Sequence, residues 1–144
     1  MATFTKINSF VEHLAEGVHN LGADQLRLAL TNDAPNVADT VLTDLSDQAG
    51  MYANLDSDPT SRNVTNITSS QASGTYTLDS ADDIVLTASG GNVGPFQYIY
   101  IYNTAGTGVT DPLIGYYDYG SALTLSDGET LTVVFDALGI LTLV

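Results

Sequence analysis

Gly94-Pro95-Phe96-Gln97-Tyr98-Ile99-Tyr100-Ile101-Tyr102-Asn103 is the stretch on which the fold turns. Side chains alternate across a β-strand, so Phe96, Tyr98, Tyr100 and Tyr102 share one face, with Ile99 and Ile101 on the other. A strand with one wet face carries polar residues there. This one does not, so its aromatic face must lie under another layer of the chain or against another subunit.

The surrounding sequence has the texture of many short strands. Gln25-Leu26-Arg27-Leu28-Ala29-Leu30-Thr31 alternates strictly, which points Leu26, Leu28 and Leu30 inward and Arg27 and Ala29 outward. Beyond residue 62 the candidate strands are 63–69, 75–78, 84–88, 96–102, 113–117, 123–125, 131–135 and 140–144. Gly-rich or Asp-Gly turns separate most of them, and Asp127-Gly128 reads as a hairpin signal. The expectation is a mainly β fold, an antiparallel β-sandwich or jelly-roll-like domain.

One helix precedes it. Ile7, Phe10, Val11, Leu14 and Val18 recur at three- and four-residue spacing, Thr5 is placed to cap the start, and Gly17 to stop it. Residues 1–22 therefore form an N-terminal helical segment and 23–144 the β-sandwich, as a single domain over 1–144. Val41–Leu45 is ambiguous between strand and helical turn. Residues 46–62 show no sustained period; a loop of that length is usually functional or mobile, which makes it a candidate arm toward another subunit.

At 144 residues such a chain buries roughly 70% of its unfolded surface and needs no disulfide. It has no cysteine, which excludes thiolate chemistry and leaves the redox compartment open. No apolar run reaches the roughly 20 residues of a membrane span, and the N-terminus carries no signal-peptide pattern. Lys6, Arg27 and Arg62 face seventeen acidic residues, for a formal charge of −14. Nucleic-acid and anionic-membrane partners are excluded, since both require clustered cations.

The chemistry-bearing residues are sparse. His13 and His19 are the only histidines and have no carboxylate at metal-ligand spacing. Asp56-Ser57-Asp58 and Asp79-Ser80-Ala81-Asp82-Asp83 lack the loop pattern of a calcium site and read as solvated turns. Glu12 and Glu16 lie one turn apart on a solvated helix face. Ser121 after Gly120 lacks an activating context, and no nucleophile elbow, phosphate loop or dinucleotide fingerprint is present. The sequons at Asn63 and Asn66 carry no weight without a signal peptide. Neither a cofactor, a metal nor an enzymatic activity is expected.

The aromatic set differs in kind. Six of the eight tyrosines fall between positions 98 and 119. Tyrosine combines a large apolar area with a hydrogen-bonding tip, which suits a wet-edged core layer, a subunit interface or glycan stacking. Phe96, Tyr98, Tyr100, Tyr102, Tyr116, Tyr117 and Tyr119, with Met51 and Tyr52 of the arm, are the candidate interface residues.

Five stretches carry a family resemblance. Phe10-Val-Glu-His-Leu-Ala-Glu-Gly-Val-His-Asn-Leu-Gly22 followed by Leu26-Arg-Leu-Ala-Leu-Thr-Asn-Asp-Ala-Pro35 is similar to small virion proteins of tailed bacteriophages. So are Gly90-Gly-Asn-Val-Gly-Pro-Phe96, Asp111-Pro-Leu-Ile-Gly-Tyr-Tyr-Asp-Tyr-Gly120 and Leu125-Ser-Asp-Gly-Glu-Thr-Leu131. The likeness covers about three quarters of the chain and is weakest over 46–75. Within that class the chain most resembles capsid cement (decoration) proteins. The resemblance implies a non-enzymatic protein on the outer capsid surface, assembled in the host cytoplasm. It further implies a trimer whose partner is the major capsid protein. A tail component (tube, terminator or baseplate) and a glycan-binding adhesin domain are the alternatives.

Overall fold

In the computed structural model, which describes residues 2–36, 38–55 and 59–144, the aromatic stretch lies inside strand β6 (Val93–Asn103). β6 runs between β2 (Leu26–Thr31) and β7 (Leu113–Leu125), and β1 (Phe4–Lys6) lines the far side of β7. The result is a four-stranded antiparallel sheet in the order β1-β7-β6-β2. Mainly β, with one helix, the chain forms a sandwich-like domain.

Register divides this sheet into two faces. Tyr98, Tyr100 and Tyr102 stand opposite Thr31, Ala29 and Arg27 of β2, and Tyr100 also stands opposite Tyr116 of β7. Ile99 and Ile101 stand opposite Leu30 and Leu28 on one side and Tyr117 and Gly115 on the other. Phe4 of β1 joins this aliphatic face through its pairing with Tyr117. Directly opposite side chains share a face, so a tyrosine layer and an aliphatic layer lie back to back.

The aliphatic layer packs on the helix and on two smaller sheets. These are β3-β4-β9, built from Ile67–Ala72, Thr75–Ser80 and Leu141–Leu143, and β5-β8, built from Ile84–Thr87 and Thr130–Val133. Phe10 of helix α1 (Asn8–Ala15) is fully buried, and the Phe135 ring lies 6.5 Å from Tyr117.

The tyrosine layer is covered from the stretch that follows β2: Pro35, Asn36 and Asp39 lie beside Tyr100, and residues 42–55 and 59–62 continue the cover. The short 3₁₀ turn Gln48–Tyr52 lies over β2 and β6, Pro59–Arg62 lies against β2 and β5, and Leu42–Asp44 is tied by its Leu42 N–H to the Asp111 carbonyl at 2.9 Å; Leu45, Met51 and Leu55 are buried. The segment is therefore no arm toward another subunit. Its period is irregular because its order comes from short internal turns and from polar bonds to β2 and the residues after it, not from one repeating ladder. Asp47 accepts from the Thr31 hydroxyl and from the Asn32 N–H at 2.9 Å. Arg62 donates to the Leu28 carbonyl at 2.8 Å, and the Val64 N–H to the Leu26 carbonyl at 2.9 Å. This cover also buries Ala29, which its alternation had placed outward.

Other expectations change in detail. The helix occupies 8–15 rather than most of 1–22, because Thr5 pairs with Tyr116 in β1 instead of capping the helix. Gly17, at φ +77, follows its C-cap, and Val11 is half exposed. The strand expected from residue 63 begins at Ile67, since Asn63 bridges to Arg27 on β2 and Asn66 takes φ +47. The expected strands 113–117 and 123–125 are one strand, with Tyr119–Ala122 falling between the Tyr98↔Asp118 and Phe96↔Leu123 rungs. Asp127-Gly128 turns the chain but joins no hairpin, because β8 pairs with β5 rather than β7. The Asp127 carboxylate instead accepts the Gly90 N–H at 2.8 Å. A tight hairpin lies between β3 and β4, where Ser73 and Gly74 both take positive φ as a type I′ turn requires.

Gly115 marks where β1 meets the sheet. A Cβ there would fall on the Phe4 ring and within 2.6 Å of the Thr5 carbonyl oxygen. Gly115→Ala is expected to push β1 off β7 and cost about 1–3 kcal/mol, as overpacking does. Urea denaturation measures the loss; unchanged stability would mean that β1 contributes nothing to the fold.

Candidate functional site

The aromatic block divides sharply by exposure. Phe96, Tyr100 and Tyr102 are buried within the chain, as is Met51. These four are core residues, because the chain's own cover, with Pro35, Asn36 and Asp39 at Tyr100 and Met51 within it, takes the place of the second subunit that was expected there. Tyr98, Tyr116, Tyr117 and Tyr52 are half-buried, and Tyr119 is 56% exposed. The Tyr116 ring bridges the layer, 5.2 Å from Tyr100 and 6.2 Å edge-on from Tyr98. Tyr52 lies beneath the Arg62 guanidinium, whose carbon is 3.8 Å from its ring centroid. Burial raises the Tyr52 and Tyr100 hydroxyls far above the usual phenol range, and the Asp39 carboxylate adds to this at Tyr100.

On the tyrosine side a cleft of about 140 Å³ remains between Tyr100, Tyr116, Pro35 and Asn36, and larger openings lie on the other side of the sheet. Two grooves adjoin there, sharing Ala2 and Tyr117. The larger, of about 500 Å³, runs between β1 and β9 over Phe10 and Tyr117, and the smaller, of about 230 Å³, lies between Tyr119 and β8. Among the described residues six large apolar side chains are exposed, and three of them, Tyr119, Val134 and Leu138, line these grooves. Leu138 is 81% exposed. Such clustering is what marks an interaction surface, whereas single exposed apolar residues are ordinary. Burial, and then the Asp136 carboxylate, push the Tyr117 hydroxyl up to about 12, so it stays a neutral hydrogen-bonding group. The sequence had named Tyr117 and Tyr119 here but missed Phe4, Val134 and Leu138. Leu138 had a local signal, a large apolar residue in the turn between Asp136 and Gly139.

The remaining candidates serve the fold. Among the described residues no group of three or more His, Asp or Glu is placed to hold a metal. Asp56 and Asp58 lie outside the described residues. In the other acidic cluster, Asp82 accepts from Thr65 at 2.9 Å and Asn66 at 2.6 Å, and Asp79 accepts the Ser80 N–H. His13 and His19 stack at the end of α1 with ring centroids 5.8 Å apart. The buried Asn103 amide reaches His19 Nδ1 at 3.2 Å and donates to Asp24 at 2.7 Å. Nδ1 is thus an acceptor, a role an imidazolium cannot fill. Burial, and then His13, lower the His19 pKa to about 4 against the opposing pull of Asp24.

Two outcomes follow from these placements. Tyr100→Ser is expected to cost about 3–5 kcal/mol, in the range of large-to-small core changes, while leaving the oligomeric state unchanged. Denaturant melts paired with sedimentation test this; a change in assembly at constant stability would return Tyr100 to an interface. A folded-state pKa below the unfolded value of 6.5 means that His19 stabilises the fold fully above pH 6.5. That contribution is lost as pH falls from 6.5 toward 4. The lowered Asp33 and Asp44 carboxylates act only below their ordinary value of 3.8. Melting His19→Gln across that window should show a flattened slope, and an unaltered slope would assign the titration elsewhere.

Comparison of the chain with protein-family models, with curated proteins and with solved structures finds no match.

Proposed function

We propose that this chain is a non-enzymatic structural protein of a tailed-phage virion, a cement protein on the outer capsid surface that binds the major capsid protein across capsomer junctions. The observation that carries the reading is the paired groove: clustered, exposed apolar side chains beside two sheet edges, on a chain of charge −14. A high-copy shell protein needs uncharged contacts of this kind, since its own charge opposes close approach. The acidic surface suits an outer face, where salt screens charges beyond about 10 Å, and suits a DNA-filled interior poorly. The resemblance of residues 10–35 and 90–131 to tailed-phage virion proteins points the same way and supplies the trimer as the assembly to look for.

Weak groove contacts made many times over one lattice gain avidity without any single contact being tight. Gold-labelled antibody on intact particles tests the placement: heads are expected to label uniformly. Label confined to tails would make the protein a tail component, and unlabelled particles that bind glycans through this domain would favour an adhesin. Leu138→Ser is expected to weaken retention on shells by about tenfold or more, as losing an exposed anchor at an interface does. Its stability should be unchanged, because Leu138 is exposed in the free protein.

A further inference from the structure

We infer that the β1/β9 groove receives an extended, basic segment of a partner protein by strand addition. This deepens the cement reading and rests on it for the identity of the partner, though not for the groove's chemistry. Among the described residues β1 has only β7 as a neighbour and β9 only β4, so each sheet ends at this groove. The Ile7 N–H bonds the Ile114 carbonyl at 3.0 Å, continuing the register of Thr5 with Tyr116. In an antiparallel ladder, alternate residues face the neighbouring strand. Thr5 and Ile7 therefore turn their main-chain groups toward β7, and Phe4 and Lys6 turn theirs outward. An added strand bonds such groups and places alternate side chains in pockets, here over Phe10 and Tyr117 and against Leu138.

Charge selects the occupant. Lys6, Arg27 and Arg62 are the only cations, and two are engaged: Arg27 Nε donates to Asn63 at 2.7 Å, and Arg62 is buried against Leu28 and Tyr52. A second copy would bring another −14 with Lys6 as its one available counter-charge, so self-pairing in this groove is opposed. Lys6 and Asp136 balance within the groove lining, so it is the acidic surface around the groove that draws in a segment whose Lys or Arg residues flank the part inserted. The groove is then the partner's site, and contacts among copies of this chain fall elsewhere on the surface.

The test uses the full chain and a fluorescent peptide of alternating valine and threonine with lysines at both ends. Fluorescence anisotropy should show binding about tenfold or more tighter than for the same peptide with glutamate ends, and weakening as salt rises. A central proline, or Leu138→Ser in the protein, should remove most of the affinity, and hydrogen exchange at the Phe4 and Lys6 amides should slow in the complex. Equal binding of both peptides, no binding at millimolar concentration, or self-association that Leu138→Ser abolishes would each overturn the inference. Shell binding that depends on Leu138 without peptide protection of β1 would remove strand addition and leave the cement reading standing. Peptide binding with unlabelled heads would do the reverse.

Discussion

A sheet with apolar side chains on both faces must be roofed twice, and here one chain provides both roofs. The aliphatic face lies under α1 and the two small sheets, and the tyrosine face lies under the stretch that follows β2, residues 35–55 and 59–62 among those described. The second roof depends on the outer edge of β2, where Arg62 and Val64 occupy the carbonyls of Leu28 and Leu26. A hydrogen bond from a charged donor contributes about 1.5–3 kcal/mol, and a buried acceptor left unpaired costs about as much. Arg62 therefore holds the edge and, through its ring contact with Tyr52, the roof above it. Arg62 shares that task with Asp47, which holds the segment to Thr31 and Asn32 at the other end of β2.

The parts of this arrangement that depend on local pattern were legible in the sequence. Alternation alone separated Tyr98, Tyr100 and Tyr102 from Ile99 and Ile101, and it placed β2 within a residue of its bounds. The parts that depend on distant partners were not. Nothing near Thr5 says that it will pair with Tyr116 instead of capping a helix. The aperiodic run before Arg62 reads as an arm because its order comes from bonds to β2, which lies twenty or more residues away for Arg62 and Val64. The candidate site suffers most, since the grooves combine residues 2–10 with residues from Ile99 onward, about ninety positions away.

The core and the open surface are thus set by the same economy of material. With β2 clasped, the edges of β1 and β9 are short and end beside apolar rather than charged side chains. Natural sheets commonly guard edges with lysine or proline, and Lys6 is the one such guard here. A strongly acidic surface offers a different protection, keeping copies apart by charge while leaving the edges open to a partner of the other sign.

The scarcity of cations also bears on proteolysis. A protease that cuts after Lys or Arg finds three target residues: Arg27 is held in the inner ladder, Arg62 is buried, and Lys6, exposed on the edge strand, is one after which a cut leaves residues 7–144 in one piece. Such enzymes need an exposed, yielding segment to bind in their clefts, and none of these residues sits at a loop tip. The residues after Arg62, more than half the chain, form one uninterrupted tryptic fragment. A particle bearing this protein would therefore keep it all but intact under digestion that strips Lys-rich neighbours, and a peptide survey by trypsin would largely pass it over.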